Sequence, residues 1–144
     1  MSVQIRPATA GDAAAMREIY VAAGRAAWAH FLPVEEIDAA SEAAFDGDRG
    51  WVAEDESGVV GFTWLVGDEL DTLYVHPRAQ GRGIGRALMD TALAGRGRTY
   101  LWTAEQNERT REIYERYGWR ADGETRPSTY KGVTFVELRY EFTA

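Results

Sequence analysis

The chain has 144 residues, enough for one domain to bury its own core, and its 45% apolar and 27% charged residues are those of a soluble globular protein. It has no cysteine, which excludes disulfides, thiolate metal sites and a cysteine nucleophile, and only two histidines, His30 and His76, so no metal site is expected. The net charge of −7 argues against nucleic acid as a partner, no apolar run could span a membrane, and the polar start MSVQIRPATAGD lacks the apolar core of a signal peptide, so a cytoplasmic protein is expected.

Residues 3–6 read as a short opening strand ended by Pro7. Thr9 and Asp12 have the spacing of a capping box, and Met16, Ile19, Tyr20 and Ala23 then fall on one face of a helix that Gly24 is expected to break. Pro33 opens a second expected helix anchored by Ile37 and Phe45. Its span carries Glu35, Glu36, Asp38, Glu42 and Asp46 with no cation. Residues 51–54 and 59–66 read as strands joined by the turn Asp55-Glu56-Ser57-Gly58, and a third strand runs from Glu69 to Val75. Ile84, Ala87, Leu88, Thr91 and Ala92 mark the buried face of the next helix, which residues 95–97 stop. A strand over 99–103 follows. Asn107 opens a helix that Gly118 closes, residues 119–123 form a short strand, and residues 126–131 are expected to be a loop. In residues 135–142, Val136, Leu138, Tyr140 and Phe142 alternate with charged residues, as in a half-buried strand. The order implies one α+β domain over residues 1–144, with a mostly antiparallel sheet and helices on its faces.

The most informative stretch lies between the third strand and the helix after it. The strand exit His76-Pro77 leads into Arg78-Ala79-Gln80-Gly81-Arg82-Gly83-Ile84-Gly85-Arg86. A Gly-rich turn opening a helix gathers free backbone N–H groups at the positive end of the helix dipole, which makes an anion site sized for phosphates. The dinucleotide fingerprint G-x-G-x-x-G is not met, because Arg86 stands at the last glycine, and the G-K-[ST] of a P-loop is missing.

Gln80, Gly83 and Gly85 instead resemble motif A, Gln/Arg-x-x-Gly-x-Gly/Ala, of the GNAT (Gcn5-related N-acetyltransferase) family. The segment from Asn107 through Tyr114 to Gly118-Trp119 is similar to the family's downstream helix, with Trp119 in place of a phenylalanine. The opening Ile5-Arg6-Pro7-Ala8-Thr9 and the ending Val136-Glu137-Leu138-Arg139-Tyr140 are similar to the family's first and last strands. The resemblance spans nearly the whole chain. It implies the GNAT fold, an α+β structure with six to seven strands flanked by about four helices, and acetyl-CoA as cofactor.

Carried over by position, the backbone of Gln80, Gly81, Arg82, Gly83, Ile84, Gly85 and Arg86 would hold the pyrophosphate, with the Arg82 and Arg86 side chains adding charge. Leu73, Tyr74 and Val75 would line the pantetheine arm, the Leu73 and Val75 backbone pairing with it. The Val75 N–H would polarise the thioester carbonyl, and Asn107 would hydrogen-bond the arm. The resemblance assigns Tyr114 as the general acid for the leaving thiolate, with Tyr117 in the core. A base to free the acceptor amine is expected at Glu69 or Asp71, with His76 a weaker candidate. Alternation would place Glu69 and Asp71 on one face with Leu73 and Val75. The acceptor pocket is expected to be lined by Trp28, His30, Phe31, Trp64 and Tyr130, with the acidic 34–47 segment near its mouth suiting a cation.

The function implied is acetyl transfer to the primary amine of a small molecule by direct transfer within a ternary complex. A protein lysine or N-terminal amine is the alternative acceptor, and a non-catalytic acyl-CoA sensor is the alternative of another class. The alternating final strand could pair with a second copy in a homodimer, and a monomer explains it equally well.

Overall fold

The computed structural model describes residues 2–28, 50–130 and 132–144, with only the backbone of 25–28. The expected second helix, its acidic residues and the candidates His30 and Phe31 lie outside the described residues, as does the Trp28 side chain. Seven strands form one sheet in the order β1-β2-β3-β4-β5-β7-β6: β1 Gln4–Pro7, β2 Gly50–Asp55, β3 Gly58–Val66, β4 Glu69–Val75, β5 Arg98–Ala104, β6 Arg120–Tyr130 and β7 Val133–Thr143. The helices described are α1 Ala13–Trp28, α2 Ile84–Leu93 and α3 Glu108–Tyr117. None of them is long and apolar enough to cross a membrane.

Every neighbouring strand pair is antiparallel except β4 and β5, which run parallel because α2 carries the chain back across the sheet. Each face of the sheet is covered separately. On one face, Met16 and Ile19 of α1 pack on Val52, Phe62 and Trp64. On the other, Ile84 and Leu88 of α2 pack on Ala53 and Val60, while Met89 and Leu93 join Leu101, Tyr114, Trp119 and Tyr140 under α3. At the start of α1, the Asp12 carboxylate accepts the Thr9 N–H at 2.8 Å and takes both terminal guanidinium nitrogens of Arg6 at 2.9 Å, which holds it below the usual carboxylate range.

Two elements differ from the sequence reading. Gly24 does not break α1, which runs on to Trp28; an internal glycine costs a helix only about 1 kcal/mol, and packing on the sheet outweighs that. Residues 126–130, expected as a loop, extend β6, because they pair with β7 from Arg126↔Glu137 to Tyr130↔Val133. Their residue types suggest a loop, yet the ladder to β7 satisfies their backbone.

Trp119 anchors the α3 side. It is fully buried, its ring lies 5.9 Å from Tyr114 and 5.5 Å from Phe142, and its indole N–H points at the Met89 sulfur at 3.4 Å. Trp119→Ala should cost about 3–5 kcal/mol of stability, read as a lower urea midpoint at constant slope. A loss under about 1 kcal/mol would show that this cluster does not hold α3.

Candidate active site

The site begins at an irregularity in β4. The register against β3 runs Gly61↔Val75 to Trp64↔Thr72, then jumps to Leu65↔Leu70, so Asp71 is an extra residue with no partner, a β-bulge. Before the bulge, the Asp68 carbonyl faces β5, where it accepts the Tyr100 N–H at 3.0 Å. Beyond it the phase is reversed: the His76 N–H faces β3, donating to the Val60 carbonyl at 2.8 Å. Peptide groups alternate, so those of Leu73 and Val75 face the β5 side. Among the described residues, β4 and β5 hold one register pair, Glu69↔Tyr100, and then part. The upper half of β4 therefore presents an open backbone edge inside the sheet. At the far end of that edge the Gln80 side chain donates to the Val75 carbonyl at 3.0 Å.

The bulge also corrects the expected side-chain phase. Leu73 and Val75 pack toward α2, whereas Tyr74 packs on Met16 and Tyr20 of α1. Glu69 and Asp71 share the α1 face with Tyr74, because the inserted residue shifts the alternation. Tyr74 thus gives its backbone to Phe62 of β3 and its ring to Tyr20, at 5.6 Å edge to face, rather than lining the open edge.

The Gly-rich turn closes the open edge. Gly81 and Gly83 have φ of 81° and 76°, a left-handed conformation that favours glycine, and a Cβ on either would meet nothing of the protein within 4 Å. The space in front of the turn is open to a ligand. Ala87 makes the first intrahelical bond, to the Gly83 carbonyl at 3.1 Å, so the N–H groups of Ile84, Gly85 and Arg86 stand ahead of the ladder at the positive end of α2. The Ile84 side chain itself is core.

The two arginines have protein partners. Arg82 pairs at 3.0 Å with Asp55, whose carboxyl is held down to about 2 by hydrogen bonds from Ser57 and then from Arg82. Arg78 donates to the Ser57 hydroxyl at 2.8 Å, so the β2–β3 turn braces the Gly-rich turn. Arg86 lies over the Tyr117 ring at 5.5 Å, at a shallow hollow between α2 and α3. Asp55 was not singled out from sequence, since it lies far from Arg82 along the chain. His76 caps the turn through its ring, Nδ1 accepting the Arg78 N–H at 3.2 Å, which is a structural use.

Across the opening stands α3. Asn107 is buried at its N-cap position, yet its side chain caps no helix N–H, which fits an amide reserved for a ligand. Tyr114 is buried beneath α3, and burial pushes its hydroxyl up to about 12, so it is fully protonated at neutral pH. Tyr117, expected in the core, is half-buried against it and donates its hydroxyl to Asp90.

On the α1 face, Glu69 is raised above the usual carboxylate range, by burial first and then by Asp71, with Arg126 opposing. Asp71 is exposed and accepts the Thr72 hydroxyl at 2.8 Å. Tyr130 packs with Val133 and Phe135 of the final hairpin against Tyr20 and Val21 of α1. Trp64, expected in the pocket, is a core residue under α1. Tyr20 was placed in the core from its helical phase, but it also reaches the acidic cluster: burial, Tyr130 and Asp71 all raise its hydroxyl.

Residues 46–121 match the model of the acetyltransferase (GNAT) domain family. The peptidyl-lysine N-acetyltransferase YjaB of Escherichia coli is 35% identical over 74 residues, covering 51% of this chain and 50% of that protein. The chain spans about half the length of the curated relatives it matches. The solution structure of apo YjaB superposes with a TM-score of 0.79 at 23% identity, covering 98% of this chain and 97% of that one. The structure of yncA from Salmonella typhimurium with its cofactor acetyl-CoA gives a TM-score of 0.73 at 22% identity, covering 99% and 94%.

A branched side chain at Gly83 would stand in the open space before the α2 N-terminus and disfavour the turn. Gly83→Val should keep the folded state, at a cost of about 1–2 kcal/mol in left-handed strain, and weaken coenzyme A binding by calorimetry at least about tenfold. Undiminished binding would place the phosphates elsewhere.

Proposed function

The chain belongs to the acetyltransferase (GNAT) domain family, and from that premise we propose that it is an acetyl-CoA-dependent N-acetyltransferase whose acceptor is the primary amine of a small molecule. The observation that carries this reading is the open edge of β4, with the Gly81–Gly83 turn at one end, Tyr114 across it and Glu69 on the opposite face. Acetyl-CoA, when bound, supplies an acyl group activated as a thioester. The turn and the first N–H groups of α2 hold the phosphates, the Leu73 and Val75 backbone and the Asn107 amide orient the arm, and the Val75 N–H donates to the carbonyl oxygen that gains charge.

At neutral pH an alkylamine is almost wholly protonated, and freeing its lone pair costs about 4–5 kcal/mol. Glu69, with its proton affinity raised by burial, accepts that proton directly or through a water. Asp71 adds the negative charge that attracts the ammonium and keeps Glu69 raised. Tyr114 holds its proton until sulfur departs and then donates to it. Its hydroxyl, pushed up to about 12, is a weaker acid than a free thiol at about 8.5. The same burial raises the thiol, which narrows that gap.

A small acceptor is supported by the packing of Tyr130, Val133 and Phe135 on Tyr20 and Val21, which closes the side across which a peptide would run. A protein lysine is the second reading, favoured by the name of the YjaB relative. Thiol release from acetyl-CoA across small amines, amino acids, aminoglycosides and lysine peptides separates the two, read with a thiol reagent to which this cysteine-free chain contributes nothing.

Tyr114→Phe should lower kcat about a hundredfold while acetyl-CoA affinity is unchanged. Equal losses in both would make Tyr114 a binding residue. Glu69→Gln should remove the acidic limb of kcat/KM, which in the wild type rises with pH through a midpoint above that of an ordinary glutamate. A limb that survives the substitution would move the base elsewhere.

A further inference from the structure

The face of β5, β7 and β6 opposite α3 carries a layer of cations on aromatic rings. Leu101 of β5 and Tyr140 of β7 point into the α3 core, so Tyr100, Trp102, Glu137 and Arg139 point to the other side. Arg126 of β6 stands directly opposite Glu137 in register and pairs with it at 2.8 Å, and its guanidinium lies over the Trp102 ring at 4.3 Å. Ser128 donates to the same Glu137 oxygen at 2.7 Å, so Glu137 is held from two sides. Trp102 lies two residues beyond Tyr100 on the same face, and Tyr100 is the register partner of Glu69. The long Arg126 side chain therefore leads from the outermost strand, over β7 and β5, toward the residue read above as the base.

We propose that Arg126 is a positioning residue for acceptor chemistry, laid along Trp102 and held by Glu137 so that its fixed positive charge is presented toward Glu69. This rests on the reading of Glu69 as the base.

The groups that act on Glu69 can be named strand by strand. Asp71 on its own strand and Glu137 on β7 favour the protonated form, as burial does, and Arg126 on β6 is the cation that opposes them. On β5 the neighbour is the neutral Tyr100. Arg139 on β7 lies over Tyr100 at 5.7 Å and over Trp102 at 5.9 Å, but its charge is committed to Asp122 at 2.6 Å, which also lies 3.9 Å from Arg98. Both arginines thus rest on Trp102, and Arg126 is the one whose charge reaches Glu69. An arginine suits the role, because its flat, always-charged head stacks on an indole while pairing in plane with a carboxylate. The arrangement opposes the rise that burial and the neighbouring carboxylates impose on Glu69.

The test reads Glu69 itself, in the ligand-free full chain, by 13C NMR titration of its side-chain carboxyl, assigned with Glu69→Gln. Arg126→Met should raise the Glu69 midpoint by a few tenths of a pH unit, Arg126→Glu should raise it further, and Arg126→Lys should restore it in part. Arg139→Met is the control and should leave it in place. The acidic limb of kcat/KM should move in the same direction and order. An unmoved midpoint in Arg126→Met and Arg126→Glu, or an equal shift in Arg139→Met, would overturn the proposal. A midpoint that follows residue 126 while Glu69→Gln leaves the acidic limb intact would uphold the electrostatic link and overturn only the reading of Glu69 as the base.

Discussion

The site depends on one extra residue in a strand. A β-strand repeats every two residues, so inserting Asp71 exchanges both the edges and the faces of everything after it. On the edge that β4 presents to β5, the exchange replaces the lower peptide groups, which reach Tyr100, by those of Leu73 and Val75, which meet no strand. Backbone donors and acceptors left inside a sheet must find partners; the Gln80 side chain serves the Val75 carbonyl, and water or an extended ligand can serve the others. The same insertion turns Glu69 and Asp71 toward α1 and leaves Leu73 and Val75 to pack on α2. The proposed cofactor edge and the proposed acceptor face are thus two consequences of one bulge.

An opening between central strands weakens a sheet, and the structure braces it on both sides. On one side Arg78 and Arg82 tie the Gly-rich turn to Ser57 and Asp55, so the candidate phosphate cradle is held by the neighbouring hairpin. On the other, α3 is fastened to β7. Arg111 donates to the Tyr140 hydroxyl at 3.0 Å and to the Glu105 carbonyl at 3.0 Å, and that hydroxyl donates to Glu115 at 2.7 Å. Tyr114 lies on the turn of helix between these contacts, with Trp119 behind it.

Charge is divided in the same way. The chain is acidic overall, yet cations gather at the turn and carboxylates gather at the start of β4. The positive character of the cradle comes mainly from fixed backbone N–H groups at the head of α2, since Arg82 is committed to Asp55 and Arg86 to the face of Tyr117. Backbone dipoles need no ordering when a ligand arrives, and the Arg82–Asp55 ion pair with the Arg78–Ser57 hydrogen bond braces the turn. On the candidate acceptor face burial and the nearby Asp71 raise Glu69, and the Arg126 guanidinium opposes them.

The sequence by itself determined the elements and their order, the Gly-rich turn, the Asn107–Trp119 helix and the family to which they belong. Those signals are local: glycines that need positive φ, apolar residues at helical or strand period, a cap residue before a helix. Asn107 opens α3 and Tyr114 lies on its buried side, positions that a cap residue and helical spacing make readable. Only the tertiary structure decided which face Glu69 and Asp71 share, that Trp64 belongs to the core, that Arg82 is spoken for by Asp55, and that residues 126–130 continue a strand and bring Arg126 to the acceptor side. Each of those outcomes turns on strand register or on a partner distant in sequence. A bulge leaves no mark in residue type, and a pairing partner is fixed by the sheet as a whole, so neither can be read from a local pattern.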